Sequence, residues 1–267
     1  MDGGSALLLR TDTSEGVTTL TLNRPEARNA LSFAMLGALE EALAHVAADP
    51  RVRVVILAAE GPVFSAGHDL REITAHRDDA DGGRAFFDAT MKRCARVMQA
   101  IVALPQPVIA RVQGVATAAG CQLVATADLA VASDQARFCT PGVDIGLFCS
   151  TPAVALSRAV PAKSALEMLL TGEMIGAEHA QRIGLVNRVV SPEALEAAAL
   201  ALASHIAARS AHTVRIGKAA FHRQRGLPLA EAYEHAAAVM TENLLAEDAI
   251  EGIGAFLGKR TPVWRNS

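Results

Sequence analysis

Two loops rich in glycine and alanine carry the residues best placed for chemistry in this sequence. The first is Gly61-Pro62-Val63-Phe64-Ser65-Ala66-Gly67-His68-Asp69-Leu70, and the second is Gln113-Gly114-Val115-Ala116-Thr117-Ala118-Ala119-Gly120-Cys121-Gln122-Leu123. Each follows an apolar run that reads as a buried strand, and ligand crevices of α/β proteins open beyond the ends of such strands. Small residues let a ligand approach the backbone, and a loop that enters a helix leaves unpaired N–H groups pointing outward. One N–H from each loop could hold a single carbonyl oxygen and stabilise the negative charge that develops on it. The same small residues also allow close packing of helix on strand, and either loop taken alone leaves that alternative open.

Other chemistries fit less well. Ser65 sits in Val63-Phe64-Ser65-Ala66-Gly67, which lacks the first glycine of a nucleophile elbow. The tail Gly252-Ile253-Gly254-Ala255-Phe256-Leu257-Gly258-Lys259 matches neither phosphate-loop nor dinucleotide spacing, and it follows a helical pattern rather than a strand. The eight histidines show no H-E-x-x-H or other ligand spacing, so no metal site is expected. Cys94, Cys121, Cys139 and Cys149 form no C-x-x-C pair and lie in apolar surroundings, which suits buried reduced thiols.

The 267 residues suffice for one large or two small domains. Hydrophobic residues make up 51% but aromatics only 4%, so the core must be built from Ala, Val, Leu and Ile. The 25 Lys and Arg against 28 Asp and Glu form no long run of one sign, which argues against a nucleic-acid partner or a polybasic membrane patch. Residues 1–5 lack a basic leader, the apolar stretch at 6–9 is too short for a signal peptide, and no segment approaches the roughly 20 apolar residues that span a bilayer. The expectation is a cytoplasmic protein.

Hydrophobic patterning supplies the elements that must hold the loops. Residues 7–10 and 17–22 flank a polar turn and read as a hairpin. A helix is predicted over 33–48, with Ser32 as its N-cap and Met35, Leu36, Leu39, Leu43 and Val46 on its apolar stripe. A strand over 54–58, a helix over 84–103, a strand over 108–112, a short helix through Thr126 and a strand over 129–132 follow. Such alternation implies parallel strands joined by helical crossovers. Arg111, a charge on the strand over 108–112, needs a carboxylate partner. After Pro152 the pattern becomes mostly helical, with segments near 163–170, 177–181, 192–208, 214–225, 229–245 and 250–257 and one strand over 185–190. This last third must pack on the core, on a partner subunit, or on both.

Four motifs together carry a family resemblance: Asn23-Arg24-Pro25-Glu26-Ala27-Arg28-Asn29-Ala30-Leu31-Ser32, Phe64-Ser65-Ala66-Gly67-His68-Asp69-Leu70, Pro107-Val108-Ile109-Ala110 through Asp128, and Ala255-Phe256-Leu257-Gly258-Lys259-Arg260-Thr261-Pro262. In order and separation they resemble the crotonase, or enoyl-CoA hydratase/isomerase, superfamily from about residue 15 to the end. The segment over 140–152 is further similar to the branch of enoyl-CoA hydratase domain-containing protein 3. The resemblance implies an α/β fold, a ClpP-like spiral of ββα units over 1–190 that carries the acyl-CoA site. Residues 191–267 would form a helical trimerisation region packed on the core and on a neighbouring subunit. It implies an acyl-CoA thioester as partner, a homotrimer or hexamer, and no permanently bound cofactor, with coenzyme A arriving as part of the substrate.

By the same resemblance, Ala66 and Ala119 fall at the positions whose N–H groups form an oxyanion hole. Arg28 and Ala30 match positions lining the pantetheine arm, and Gly67, His68, Asp69 and Leu70 match the strip beside adenine. Lys259 matches a C-terminal cation that reaches the CoA phosphates, a physically sensible pairing. The departures matter as much. Where the hydratase pattern has Gly-Gly-Gly-x-Glu, this chain has Ala118-Ala119-Gly120-Cys121-Gln122, and where it has Pro-Glu, this chain has Pro141-Gly142. Gln122 and Gly142 therefore replace both catalytic glutamates, and an amide can hold a water but cannot take its proton.

The expected function is a crotonase-family acyl-CoA enzyme, a lyase or isomerase of fatty-acid metabolism that stabilises a thioester enolate, with standard hydration weakened or lost. The alternative is a non-catalytic acyl-CoA-binding or assembly protein. Substitute acid–base groups are Asp144, which shares a face with Gly142 if that stretch is extended, His68 and Cys149.

Overall fold

Strand β1 (Leu8–Asp12) pairs antiparallel with β2 (Val17–Leu22), Leu9 opposite Thr21, and forms the expected hairpin. The computed structural model describes residues 6–266, so residues 1–5, read above as lacking a leader, and Ser267 lie outside it. Helix α1 (Phe33–Ala48) starts where Ser32 predicts, the Ser32 hydroxyl accepting from the Met35 N–H at 3.1 Å. That bond satisfies one of the donors every helix start leaves unpaired. The stripe Met35, Leu36, Leu39, Leu43 and Val46 is buried as expected.

One unit then repeats. β3 (Val54–Ala59) is followed by β4 (Val63–Ser65), α2 (Leu70–Ala75) and α3 (Arg84–Ala103). β5 (Val108–Val112) is followed by β6 (Val115–Thr117) and α4 (Ala119–Thr126). β7 (Leu129–Ser133) is followed by β8 (Arg137–Cys139), α5 (Ser150–Ala159) and α6 (Ala162–Thr171). β9 (Ile175–Gly176), α7 (Ala177–Arg182) and β10 (Arg188–Val190) close the spiral. The first strand of each unit enters a six-stranded sheet, β1-β2-β3-β5-β7-β10, parallel throughout after the hairpin; the second enters a four-stranded sheet, β4-β6-β8-β9. This is the spiral of ββα units that the resemblance implied.

β3 and β5 read as unbroken apolar runs because both faces of the larger sheet are covered. Val54, Ile56, Ala58 and Ile109 pack against α8 (Leu195–Ala207) through Leu195, Ala199 and Ala203, whereas Val55, Leu57, Val108 and Ala110 join the core that holds α1 and α3. Arg111 meets its carboxylate, Glu196, at 3.6 Å. All four cysteines are free thiols.

The smaller sheet was not expected, because strands of two or three residues show no alternation and read as loops. Helix α5 runs across Pro152, the third residue of the helix, where a proline removes an N–H that has no intrahelical partner anyway. The strand expected over 185–190 is shorter, since the Leu185 and Val186 N–H groups turn back to the Ala180 carbonyl and close α7 instead.

Helices α9 (Ala211–Gln224), α10 (Leu229–Leu245) and α11 (Glu247–Leu257) complete the chain. Lys218 anchors α9 to the core: its ammonium lies 2.7 Å from the Asp128 carboxylate and donates to the Ile101 and Gln106 carbonyls at 3.0 Å. Burial pushes the Lys218 amine below its usual range, and Asp128 opposes that shift. These helices leave Phe221, Leu229, Tyr233, Met240, Leu245 and Phe256 exposed, Leu229 at 76% and Phe256 at 83%. So many large apolar side chains on one region are more than a soluble single chain ordinarily leaves bare. Light scattering at micromolar concentration is expected to give a mass above that of one chain, and a stable monomer would contradict this reading of the surface.

Candidate active site

The first loop lies along the segment over 23–32. The Leu31 N–H donates to the Gly67 carbonyl at 2.7 Å, and the Ser65 hydroxyl donates to the Asn29 carbonyl at 2.9 Å. Asn29 is the pin. Buried and held at a φ of 50°, it accepts from the Arg24 N–H and donates to the Glu60 and Val63 carbonyls, all at 2.8 Å. Arg28, Ala30, Gly67, His68, Asp69 and Leu70 lie side by side as a result. Asp69 itself is occupied, pairing with Arg24 at 2.8 Å and capping α2 through the Arg71 and Glu72 N–H groups. A cavity of 460 Å³ beside the strip is lined by Arg24, Ser32, Ala34, Asp69, Arg71 and Glu72, with Leu7.

The second loop is fixed by β8, whose Cys139 carbonyl accepts from the Ala118 N–H at 3.0 Å. Ala118 has φ 51° and ψ −118°, which glycine adopts freely and alanine only under strain. Helix α4 begins at the next residue, so the Ala119 N–H is the first of its orphan donors. The loops touch here. Gly67 has φ 85°, and a Cβ on it would fall 2.9 Å from the Ala118 Cβ and 3.2 Å from the Ala119 nitrogen. A Cβ on Gly120 would fall 2.3 Å from the Ser65 carbonyl oxygen. The small residues therefore allow the two loops to pack closely, with the backbone of Gly67 set against Ala118 and the Ala119 nitrogen.

One member of the expected donor pair changes. The Ala66 N–H is spent on the Arg28 carbonyl at 3.0 Å, and the Gly67 N–H faces the Ser65 hydroxyl at 3.3 Å. The left-handed φ of Gly67 then turns the chain, and the His68 N–H makes no hydrogen bond among the described residues; nor does the Ala119 N–H. The free pair is His68 and Ala119. Sequence could place the loop but could not show which of its N–H groups the segment over 23–32 consumes.

The side chains around this pair carry no carboxylate at the two expected positions. Gln122 is 3% exposed, and its amide oxygen accepts from the Cys94 thiol at a long 3.9 Å. Gly142 is buried in the tight turn Pro141–Ile145, and a Cβ on it would fall 2.8 Å from the Leu147 carbonyl oxygen and 2.9 Å from the Cys149 sulfur. Burial pushes the half-buried Cys149 thiol up, so it remains protonated at neutral pH. Asp144 lies in the helical turn Pro141–Ile145 and not in an extended stretch, so it does not share a face with Gly142; it is exposed and makes no hydrogen bond or ion pair among the described residues, although its charge reaches Cys139. The His68 imidazole is buried and turned to the Leu31 carbonyl; burial lowers its pKa, and that carbonyl partly offsets the shift.

Lys259 makes no hydrogen bond or ion pair with either loop among the described residues. It is exposed just beyond α11, and the tail after it folds back, the Trp264 indole donating to the Ala208 carbonyl at 3.0 Å. Among the described residues no group of three His, Cys, Asp or Glu side chains could hold a metal ion, and no helix is long and apolar enough to cross a membrane.

The family model for enoyl-CoA hydratase/isomerase matches residues 12–267. The chain belongs to that family. It is 49% identical over 257 residues to enoyl-CoA hydratase domain-containing protein 3, mitochondrial, of Rattus norvegicus, covering 96% of this chain and 84% of that protein. Among solved structures it is similar to an enoyl-CoA hydratase of Mycobacterium smegmatis, with a TM-score of 0.93, 52% identity, and 97% and 99% of the two chains covered. Human enoyl Coenzyme A hydratase domain-containing protein 3 gives a TM-score of 0.91 at 46% identity, with 97% and 100% covered. These relatives overturn the cytoplasmic expectation. The proteins of Rattus norvegicus, Mus musculus, Xenopus laevis, Danio rerio and Homo sapiens, 47–49% identical, are mitochondrial by name. Overall charge and a few N-terminal residues do not determine a compartment, so that expectation is not retained for this member of the enoyl-CoA hydratase/isomerase family.

Proposed function

We propose that this family member binds an acyl-CoA thioester and stabilises its enolate through the His68 and Ala119 N–H groups. The observation that carries the reading is the pair of unspent backbone donors on two loops packed against each other at Gly67 and Ala118. Preorganised donors of this kind act most strongly on charge that develops during reaction, and each is worth about 2.7–4 kcal/mol. The strip formed by Arg28, Ala30 and Gly67, His68, Asp69 and Leu70 leads away from the donors as a path for the CoA arm. In the adjoining cavity Arg24 is already paired with Asp69, so Arg71 is the cation we assign to its anionic end.

With no carboxylate at position 122 or 142, the reaction we assign is proton transfer at the carbon next to the thioester, with Gln122 holding a water or the substrate and Asp144 tested as the base. Residues 191–267 form the assembly region of a trimer or hexamer, and Lys259 serves the phosphates bound by a neighbouring copy. The vacated glutamate positions also favour a second reading, a binder that retains the pocket without turnover.

Exchange of the α-hydrogens of butyryl-CoA in heavy water, followed by NMR, separates the two readings. Exchange that Asp144→Asn abolishes supports the enzyme; tight binding without exchange supports the binder. Ala119→Pro deletes one donor at the first helical position, where proline is tolerated. In a variant that remains folded, affinity for an enolate-like CoA analogue is expected to fall about a hundredfold or more. Unchanged affinity would remove Ala119 from the hole.

A further inference from the structure

A second cavity, of 230 Å³, opens at the other end of the larger sheet from the oxyanion loops. Arg53 and Gln106, on its wall, precede β3 and β5, whereas the two loops follow the far ends of the same strands. At about 3.3 Å per residue, these strands keep the two places about 15–20 Å apart. His212 and Arg215 of α9 and Asn266 of the C-terminal tail complete the wall.

Positive charge gathers here in excess. Arg53 donates to the Arg209 carbonyl and Arg215 to the His212 Nδ1 at 3.2 Å, and neither has a carboxylate partner among the described residues. The Arg209 guanidinium likewise meets a histidine, His205, at 3.1 Å. The nearby carboxylates are taken. Asp49, on the cavity wall, pairs with Arg10 at 3.1 Å and Arg51 at 2.9 Å. Asp248, whose charge reaches Arg53 and His212, is 1% exposed and accepts from the Ser210 hydroxyl and the Arg265 and Asn266 N–H groups. Half-buried Arg53 thus loses hydration without gaining an ion pair, and burial makes its guanidinium less basic than usual. Two polar groups are also unused: the His212 N–H in the first turn of α9 makes no hydrogen bond among the described residues, and Gln106, 8% exposed, has an unpartnered amide oxygen.

We propose that this cavity is a second ligand site, separate from the acyl-CoA site, and that it takes a phosphate group, as the free ion or on a small ester. Guanidinium groups match phosphate oxygens in geometry, and helix N-termini favour anions. Arg53, Arg215, the His212 ring and the His212 N–H are four separate donor groups, which suit the three terminal oxygens of a phosphate ester better than the two of a carboxylate. The space is smaller than the about 300–1,000 Å³ of pockets that enclose drug-sized ligands, so a nucleotide or coenzyme A does not fit.

Trp264, the chain's one tryptophan, reports on this end of the molecule, since the tail that carries it also brings Asn266 to the cavity wall. Calorimetry and Trp264 fluorescence with inorganic phosphate, glycerol 3-phosphate, acetate and AMP supply the test. Phosphate or glycerol 3-phosphate is expected to bind saturably and to change the fluorescence, and the tighter of the two identifies the ligand as free ion or ester. Acetate and AMP should bind at least about tenfold more weakly. Arg53→Gln and Arg215→Gln are each expected to weaken binding about tenfold or more, the loss of one charge-assisted hydrogen bond, while Arg188→Gln on β10 leaves it unchanged. Arg215 is exposed, so its variant decides the matter even if Arg53→Gln unfolds. Absence of saturable binding, equal binding of acetate or AMP, or binding that Arg215→Gln leaves unchanged would overturn the assignment. Butyryl-CoA affinity should be the same in wild type and Arg215→Gln, which keeps this outcome independent of the acyl-CoA reading.

Discussion

Purified protein is expected to hydrate crotonyl-CoA at least about a hundredfold more slowly than a hydratase with both glutamates, the lower end of what general acid–base groups contribute. The buried Gln122 amide has no basic atom, and Gly142 has no side chain at all. Restoring the pair is not expected to restore the rate. Any side chain at 142 begins with a Cβ within 2.9 Å of both the Leu147 carbonyl oxygen and the Cys149 sulfur, so Gly142→Glu must displace that loop. Overpacking of this kind costs about 1–3 kcal/mol. At 122 a glutamate would sit 3% exposed beside a thiol, where burial favours its neutral form. The double variant Gln122→Glu, Gly142→Glu should therefore show a lower urea midpoint and no more than wild-type hydration. A wild-type rate near that of an ordinary hydratase would falsify the argument, and Asp144→Asn and His68→Gln would then identify the substitute by their losses.

Asp128→Ala is expected to lower unfolding free energy by about 3–5 kcal/mol, the cost of breaking a buried ion pair from one side. It leaves the Lys218 ammonium, 7% exposed, with only two carbonyls, and also removes the acceptor of the Val108 N–H at 2.7 Å. The deficit should depend on pH. Burial lowers the folded pKa of Lys218, so the unfolded chain binds that proton more tightly and stability rises as pH increases through the amine's range. Without Asp128 that slope should steepen, and the variant should recover part of its loss at alkaline pH. Urea titrations at neutral and alkaline pH measure both effects; a loss below about 1 kcal/mol, with no change of slope, would mean that Lys218 does not depend on this carboxylate.

How far the sequence reached can be seen residue by residue. Ser32 and the spacing of Met35, Leu39, Leu43 and Val46 give α1 to the residue, because a cap and a helical stripe are local signals. The strands of the larger sheet are legible because burial on both faces leaves continuous apolar runs. Val63, Phe64 and Ser65 look like loop because three residues cannot display a period, and the helix over Ser150–Ala159 was not expected, with Pro152 in its first turn. The site divides in the same way. Small residues mark both loops, but the choice of His68 over Ala66 depends on the Arg28 carbonyl, some forty residues earlier in the chain, and no local pattern encodes that bond. Nor could the sequence show that position 142 is closed as well as empty, since its obstruction comes from the fold of Leu147 and Cys149.

The hydrogen bond from Ala118 to the Cys139 carbonyl also sets when during synthesis the second loop is fully held. The parts of the hole come from residues 23–32, 60–70, 113–123 and 137–139, and chains leave the ribosome N-terminus first. Until Cys139 has emerged, the Ala118 N–H lacks its acceptor, and the strained backbone there is held only by Gly67, by the Gln122 N–H and by the pairing of β6 with β4. A growing chain that has completed its first two ββα units therefore carries both loops before the second is fully tied down.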